Sequence, residues 1–159
     1  MYSSTMKTSI LILDNIRSVE NTGSIFRTAE CLGVSKIYLI GTTPAPVDRF
    51  GRKRSDFSKV ALGAEDLVEW EYQKEIEGVV KELKEQNFKI LALEQDEHSV
   101  SLENFKSPKQ FALIVGNEVD GVSKKVLDNC DAILEIKMKG KKESLNVSVA
   151  TGIAVFQLI

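Results

Sequence analysis

The sequence predicts a doubly wound α/β fold, in which a parallel sheet carries helices on both faces. Three observations lead to this prediction. Short apolar runs recur along the chain, segments with helical spacing of apolar residues lie between them, and glycine-containing loops follow several of the runs. Runs that are apolar on both sides are typical of strands covered by helices above and below.

Five apolar runs are the predicted strands. They cover residues 10–13, 37–40, 88–93, 111–115 and 132–136. Runs of this length, bounded by polar or glycine-containing segments, favour buried strands over helices, which need more residues to form. Together they account for a sheet that runs through the whole chain.

Two amphipathic segments are the predicted helices of the first half. Ile25, Ala29 and Leu32 recur at i, i+4 and i+7, and Gly33 follows where a helix C′ glycine belongs. Residues 76–83 repeat the pattern with apolar residues at i, i+3, i+4 and i+7. Both helices therefore present one apolar stripe to the sheet.

The last segment, residues 145–159, is apolar on every side. A helix of this kind needs partners all round, and the sheet of a small domain covers only one side. We therefore expect a second copy of the chain to cover the other side, with burial inside one chain as the alternative. Gly152 would permit close approach of another backbone.

Length and composition limit the class of protein. At 159 residues the chain fits one domain, which we expect over residues 1–159. The 21 basic and 23 acidic residues give a net charge of −2, which argues against a general polyanion binder but allows a local basic patch. The apolar run at residues 10–13 is too short for a signal peptide or a membrane span, so we expect a cytoplasmic protein.

The cysteines and the histidine suggest no metal site. Cys31 and Cys130 are isolated thiols without CxxC spacing, and we interpret them as buried free cysteines in a reducing compartment. His98 is the only histidine, so a catalytic triad would have to use it and a zinc site could not be histidine-rich. We expect His98 at the surface and no metal in the protein.

The first two of three candidate loops follow predicted strands. After the first strand, Asn21 is a candidate N-cap, and Arg27 lies close to the apolar stripe, where burial would require an anionic partner. A surface salt bridge is the alternative role for Arg27. The second loop begins at Gly116, and a helix is expected to start near Ser123. Neither loop has the G-x-G-x-x-G or the G-x-x-x-x-G-K-[ST] pattern, so dinucleotide binding has little support.

The third candidate loop, residues 136–146, contains four lysines and leads into the apolar last helix. Ser144 and Asn146 are polar residues at the entrance of that helix. A solvated loop with an N-cap is the simplest interpretation of this segment alone.

Taken together, the three loops resemble the SpoU/TrmH family of the SPOUT methyltransferase superfamily. Residues 21–28 resemble its Asn-x-Gly-x-x-x-Arg-Thr motif, residues 116–121 its Gly-Asn-Glu-x-x-Gly motif, and residues 144–150 its Ser-Leu-Asn-Val-Ser-x-Ala motif. The motifs occur in the family's order, and the resemblance extends from about Leu11 to Phe156. Lys137 departs from the pattern, since the family usually has proline there.

The resemblance implies a fold and an activity. Family members have a parallel sheet whose C-terminal part forms a deep trefoil knot, an exception to the rule that chains avoid threading. They are homodimers that transfer a methyl group from S-adenosylmethionine to a ribose 2′-hydroxyl of transfer or ribosomal RNA. We expect no further RNA-binding domain before this one, and this makes transfer RNA the expected substrate.

Functional residues follow from the motif positions. The resemblance implies a catalytic set and a methyl-donor set that share one residue. The catalytic candidates are Asn21, Arg27, Glu118, Ser144 and Asn146. The donor-binding candidates are Leu93, Gly116, Ile136, Ser144 and Leu145. Glu118 is expected mainly to hold the loops together.

Arg27 is the residue to which the family's chemistry is ascribed, sometimes as a general base. An arginine guanidinium stays protonated at neutral pH, so a base role is difficult, and we prefer a bidentate clamp on the adjacent RNA phosphate. Contact with RNA needs positive surface, and two stretches supply candidates. These candidates are Arg49, Arg52, Lys53 and Arg54, which surround Phe50, and Lys141 and Lys142 in the third loop.

Two other functions compete with this hypothesis. An RNA-binding relative without catalysis should have lost Arg27, Asn146 or the Gly116 loop, and all are present. An NAD-dependent oxidoreductase should carry a glycine fingerprint after the first strand, which is absent.

Overall fold

A computed structural model describes residues 7–159; residues 1–6 of the predicted domain lie outside the described range. Its strands are β1 (Thr8–Asp14), β2 (Lys36–Ile40), β3 (Glu69–Gln73), β4 (Lys89–Leu93), β5 (Val100–Ser101), β6 (Gln110–Gly116) and β7 (Ala132–Glu135). Its α-helices are α1 (Val19–Cys31), α2 (Ser55–Ala61), α3 (Ile76–Glu85), α4 (Lys124–Leu127) and α5 (Val147–Leu158).

The seven strands form one sheet in the order β3-β2-β1-β6-β4-β7-β5, and every neighbouring pair is parallel. In the register, Asp14 at the end of β1 pairs with Ile40 of β2 and with Gly116 of β6. The carboxyl ends of these three strands are therefore level at one edge. The predicted parallel sheet is confirmed.

Helices cover both faces of the sheet because successive strand residues point to opposite sides. Leu11 and Leu13 of β1 belong to a core that includes residues of α1, α2 and α5. Ile10 and Ile12 belong to a second core that includes residues of α3 and α4. The doubly wound arrangement is thus as predicted, whereas the trefoil knot stays a prediction.

Helix α1 begins at a different cap from the one expected. Ser18 has extended backbone angles, and its hydroxyl accepts a hydrogen bond from the Asn21 N–H at 3.1 Å. The prediction of Asn21 as N-cap is wrong, because Asn21 lies in the first helical turn and its side chain is left to bond elsewhere. At the other end Gly33 has a φ of 76°, as the predicted C′ glycine requires.

Three elements were not predicted. Strand β3 is an edge strand of mostly half-buried or exposed residues, so it lacks an apolar run. Lys36 of β2 forms ion pairs with Glu71 at 3.1 Å and Glu69 at 3.5 Å, which tie this edge to its neighbour. Helix α2 buries only Phe57 and Ala61, and β5 has only two residues.

The cysteines are both free, but the prediction that both are buried is wrong. Cys31 is exposed, since the last turn of α1 turns that position away from the sheet. Cys130 is half-buried, and burial raises the pKa of its thiol to about 11. His98 is exposed, as predicted. None of the helices within residues 7–159 is long and apolar enough to cross a membrane.

The contact between α1 and α2 gives a test of the fold. Phe26 is fully buried and meets the Phe57 ring edge-on, with the centroids 5.1 Å apart. We expect Phe26→Ala to lower the free energy of unfolding by about 3–5 kcal/mol, since it removes a ring and leaves a cavity. Urea denaturation measures the effect, with Leu67→Ala as the control because that side chain is 72% exposed. Equal stability of the two variants would contradict the described packing.

Candidate active site

The three loops meet where the sheet changes its direction of winding. From β1 the chain runs through α1 to β2 on one side, whereas from β6 it runs through α4 to β7 on the other side. Because β1 and β6 are neighbours, their connections diverge and leave a crevice beyond their carboxyl ends. Ligands of open α/β sheets bind in such crevices.

A cavity of about 380 Å³ lies at this edge, next to the ends of β4, β6 and β7. Its walls combine apolar side chains, backbone and a few polar groups. Every predicted donor-binding residue lines it: Leu93, Gly116, Ile136, Ser144 and Leu145. The structure therefore brings together residues that are up to 52 positions apart in the sequence, from 93 to 145.

The floor of the cavity depends on the lack of a side chain at Gly116. A Cβ there would lie 2.4 Å from the carbonyl carbon of Gly121 and 2.7 Å from the Val122 nitrogen. The turn between the two glycines is closed by the Asn117 side-chain oxygen, which accepts from the N–H groups of Val119 (3.0 Å) and Asp120 (2.7 Å). Close contact of two backbone segments thus fixes the shape of this loop.

Glu118 connects the three loops through one carboxylate oxygen. Its Oε1 accepts hydrogen bonds from Asn21 Nδ2 at 3.3 Å, Asn146 Nδ2 at 3.4 Å and the Val147 N–H at 3.3 Å. Asn146 also donates to Asn21 Oδ1 at 3.1 Å. The negative charge lies at the N-terminus of α5, where unpaired N–H groups and the helix dipole favour it.

Asn146 is also the N-cap of α5. Its side-chain oxygen accepts from the Ser148 N–H at 2.9 Å and the Val149 N–H at 3.4 Å, while its amide nitrogen donates to Asn21 and Glu118. One side chain therefore begins the last helix and joins it to α1. Ser144, two residues earlier, is exposed and lines the cavity.

Arg27 lies apart from this cluster. Its side chain is exposed on α1, does not line the cavity, and has no hydrogen bond or ion pair with any other residue in the range 7–159. The salt bridge that we considered as its alternative role is absent from this range. As far as residues 7–159 are concerned, the guanidinium is open to a partner from outside the chain.

The predicted RNA-binding residues differ in how much of their charge is free. Arg52, Lys53 and Arg54 form ion pairs at 2.9, 2.8 and 2.7 Å; their partners are Asp48, Asp66 and Asp56. Arg49, Lys141 and Lys142 are exposed and have no ion pair among the described residues. The first basic stretch is therefore less positive than its sequence suggests.

Other cavity residues were not singled out from the sequence. Glu94 follows β4, and its carboxylate accepts from the Val122 N–H at 3.0 Å and the Gln95 N–H at 3.0 Å. Gln95 donates to the Glu143 carbonyl oxygen at 2.8 Å, and Met138 lines the wall opposite. The position of Glu94 directly after a predicted strand was the available sign.

An open parallel sheet with a cavity at its carboxyl edge defines a doubly wound α/β protein, a class that places its small-molecule sites at this edge. Residues 8–156 match the model of the SpoU rRNA Methylase family. The chain belongs to that family.

Curated relatives agree with this assignment. The chain is similar to the 23S rRNA (guanosine-2′-O-)-methyltransferase RlmB of Salmonella typhi, with 32% identity over 150 residues, which are 94% of this chain and 59% of that protein. The RlmB protein of Neisseria meningitidis is 33% identical over 146 residues, or 92% of this chain and 56% of that protein. The chain thus spans less than two thirds of the length of these relatives.

Solved structures share the fold. The A. aeolicus TrmH/SpoU tRNA modifying enzyme is 30% identical with a TM-score of 0.82, over 96% of this chain and 74% of that one. The AdoMet-bound rRNA methyltransferase from Sinorhizobium meliloti has a TM-score of 0.81 at 24% identity, over 95% of this chain and 55% of that one.

The Glu118 cluster makes a local prediction. In Glu118→Ala the Val147 N–H loses its acceptor, so we expect its hydrogen exchange to accelerate by about fivefold, as loss of a bond worth about 1 kcal/mol would produce. In Glu118→Gln a carbonyl oxygen remains as an acceptor, and protection should largely persist. Exchange at single amides is measured by NMR, and the Ser148 N–H, which keeps its bond to Asn146, is the internal reference. Unchanged exchange at Val147 in the alanine variant would contradict the cluster.

Proposed function

We propose that this chain transfers a methyl group from S-adenosylmethionine to a ribose 2′-hydroxyl of RNA. The observation that carries the proposal is the convergence of all three family motifs on Glu118, beside a cavity at the carboxyl edge of the sheet. The chain's membership of the SpoU rRNA Methylase family supports the same activity. Proteins similar to this chain include 23S rRNA (guanosine-2′-O-)-methyltransferases and a tRNA modifying enzyme.

The cavity suits S-adenosylmethionine in size and in chemistry. Small-ligand sites commonly measure about 300–1,000 Å³ and combine apolar walls with a few polar groups. Leu93, Ile136 and Leu145 supply apolar surface for a flat base, while the Gly116 loop brings backbone close to the ligand. The exposed Ser144 hydroxyl adds a polar group at the rim. AdoMet occurs in the S. meliloti structure, which has this fold.

The protein's task in this reaction is alignment. When bound, S-adenosylmethionine supplies a methyl group already activated by a sulfonium, so the acceptor hydroxyl needs only orientation and relief of its proton. Glu118 and Asn146 hold the loops on either side of the cavity in one arrangement. We assign Glu118 this positioning role and no proton transfer.

Arg27 is the residue that we propose contacts the RNA. Its guanidinium can bind a phosphate with two parallel hydrogen bonds and place the adjacent 2′-oxygen. A phosphate oxygen then receives the hydroxyl proton, while the nearby positive charge stabilises the developing alkoxide. Arg27 is exposed and has no ion pair with the residues from 7 to 159, which supports its availability for this contact.

A homodimer would complete the site. Helix α5 exposes an apolar stripe of Val149, Ile153, Phe156 and Ile159, and Phe156 is 71% exposed. A stripe of this kind on a helix that packs against α1 is typical of an interface. Because Arg27 does not line the cavity of its own chain, we propose that pairing through α5 brings it to the cavity of the partner subunit.

We propose transfer RNA as the substrate, with 23S ribosomal RNA as the alternative that the RlmB relatives favour. Arg49, Lys141 and Lys142 are the exposed basic residues that we expect to contact its phosphates. The free thiols of Cys31 and Cys130 suit a reducing compartment, and we place the enzyme in the cytoplasm.

Binding and transfer can be tested on the purified chain. We expect calorimetry to show binding of S-adenosylmethionine and none of NAD, and labelled methyl to pass to transfer RNA. Mass spectrometry of digested RNA should then find a 2′-O-methyl nucleoside, with 23S ribosomal RNA as the parallel substrate. A protein that binds no S-adenosylmethionine would end the proposal.

Arg27→Lys tests the phosphate clamp. Lysine keeps the charge but loses the second hydrogen bond, so we expect methyl transfer to fall by at least about tenfold while S-adenosylmethionine affinity stays unchanged. Single-turnover assays measure the rate, and Glu30→Gln is a control at an exposed position on the same helix. Full turnover by the lysine variant contradicts bidentate binding.

Phe156→Glu tests the dimer. A charge in the centre of the exposed stripe should convert the protein to monomers and abolish methyl transfer, without loss of folding, because the side chain is already 71% exposed. Sedimentation velocity and circular dichroism give the two readouts, and Gln157→Glu places the same charge one residue away, at another exposed position. A wild-type protein that is active as a monomer would refute the dimer proposal.

A further inference from the structure

The loop between β2 and α2 contains a small, well-fixed hairpin whose tip carries an exposed aromatic ring. Val47 and Lys53 form an antiparallel bridge, and we call residues 47–53 the basic hairpin. Phe50 at the tip is 66% exposed. The guanidinium carbons of Arg49 and Arg52 lie 4.7 and 5.0 Å from the centre of its ring.

Asp48 holds this hairpin in one conformation. Its Oδ1 accepts from the Phe50 N–H at 2.8 Å and the Arg52 N–H at 3.0 Å, while its Oδ2 pairs with Arg52 Nε at 2.9 Å. These bonds also keep the pKa of the Asp48 carboxyl below its usual value. The ring is therefore presented to solvent by a prearranged backbone, although burying it would be more favourable for folding alone.

The two arginines differ in whether an ion pair holds their side chain. Arg52 is held by Asp48, whereas Arg49 has no ion pair among the described residues. Arg49 can therefore leave the ring and pair with a phosphate, which uncovers ring surface for another flat group. An exposed aromatic ring beside free and fixed guanidinium groups is the combination that binds unpaired bases.

The loop that carries the basic hairpin starts at the same edge of the sheet as the cavity. Ile40 at the end of β2 is level with Asp14 and, one strand further, with Gly116, so the loop begins about 10 Å from the cavity floor by strand spacing. The Ile16 N–H donates to Thr43 Oγ1 at 3.0 Å, which fastens the start of this loop to the segment that leads into α1. The loop is thus anchored at the edge of the sheet where the RNA substrate is proposed to be methylated.

We propose that Phe50 stacks on an unpaired base of the substrate RNA while Arg49 pairs with a neighbouring phosphate. This inference rests on the proposed function and adds a contact that selects single-stranded or loop nucleotides beyond the methylated one. Every base has a π-face, so the contact favours unpaired over duplex RNA without selecting a particular sequence.

The test compares Phe50→Ala, Phe50→Tyr and Arg49→Ala with the wild-type protein. The probes are fluorescein-labelled transfer RNA, a short single-stranded RNA and the same sequence as a duplex, read by anisotropy over a series of salt concentrations. We expect Phe50→Ala to bind the single strand and transfer RNA roughly tenfold more weakly, and Phe50→Tyr to bind like wild type.

The salt series separates stacking from charge. The affinity loss in Phe50→Ala should leave the slope of log affinity against log salt unchanged, because no phosphate contact is removed. Arg49→Ala should reduce that slope by about one. A loss in Phe50→Ala that appears as a smaller slope, or equally for duplex and single strand, would overturn the stacking.

Two further measurements keep the inference distinct from the proposed function. S-adenosylmethionine affinity and sedimentation should be the same in Phe50→Ala and wild type. A wild type that methylates RNA, together with an alanine variant that binds RNA equally well, refutes only the stacking. A wild type that binds neither RNA nor S-adenosylmethionine refutes both, and an altered association state in Phe50→Ala would show that the ring contacts protein.

Discussion

The site depends on one acceptor, the Oε1 atom of Glu118. It accepts hydrogen bonds from Asn21 of α1 and from Asn146 and Val147 at the start of α5, so two separate stretches of chain are joined to the loop that carries Glu118. Neutral acceptors would bond more weakly than a carboxylate at this helix N-terminus. The loops after β6 and β7 and the start of α1 are thereby held in one arrangement, and the cavity between β4, β6 and β7 takes its shape from them.

Much of the fold was accessible from sequence because its strands are buried on both faces. Such strands are continuous apolar runs, and the five predicted runs correspond to β1, β2, β4, β6 and β7. Strand β3 was not predicted because it is an edge strand with charged residues, and β5 was not predicted because two residues form no pattern. The cap of α1 was misplaced since both Ser18 and Asn21 are good capping residues, and only the backbone angle at Ser18 decides between them.

The candidate site was less predictable from the sequence than the fold. The motifs placed Asn21, Glu118 and Asn146 at the same edge of the sheet, where the structure has them. No sequence pattern predicts the hydrogen bonds between these three side chains. The sequence does not predict the ion pairs either, because the aspartates that pair with Arg52 and Lys53 lie 4 and 13 positions away. Composition therefore overstated the free positive charge of the basic hairpin, and the sequence placed Phe50 among these residues without indicating that its ring is exposed at the tip.

The contact between the backbones of Gly116 and Gly121 leaves no room for a side chain at residue 116 in the cavity floor. A hydrogen atom is the largest substituent that fits at residue 116, where even a methyl carbon would come within 2.4 Å of backbone. Three residues further on, Val119 is 86% exposed although it also lines the cavity, so a different side chain there would meet solvent and no backbone would have to move. A side chain at residue 116 would instead have to displace the backbone of Gly121 and so reshape the cavity floor.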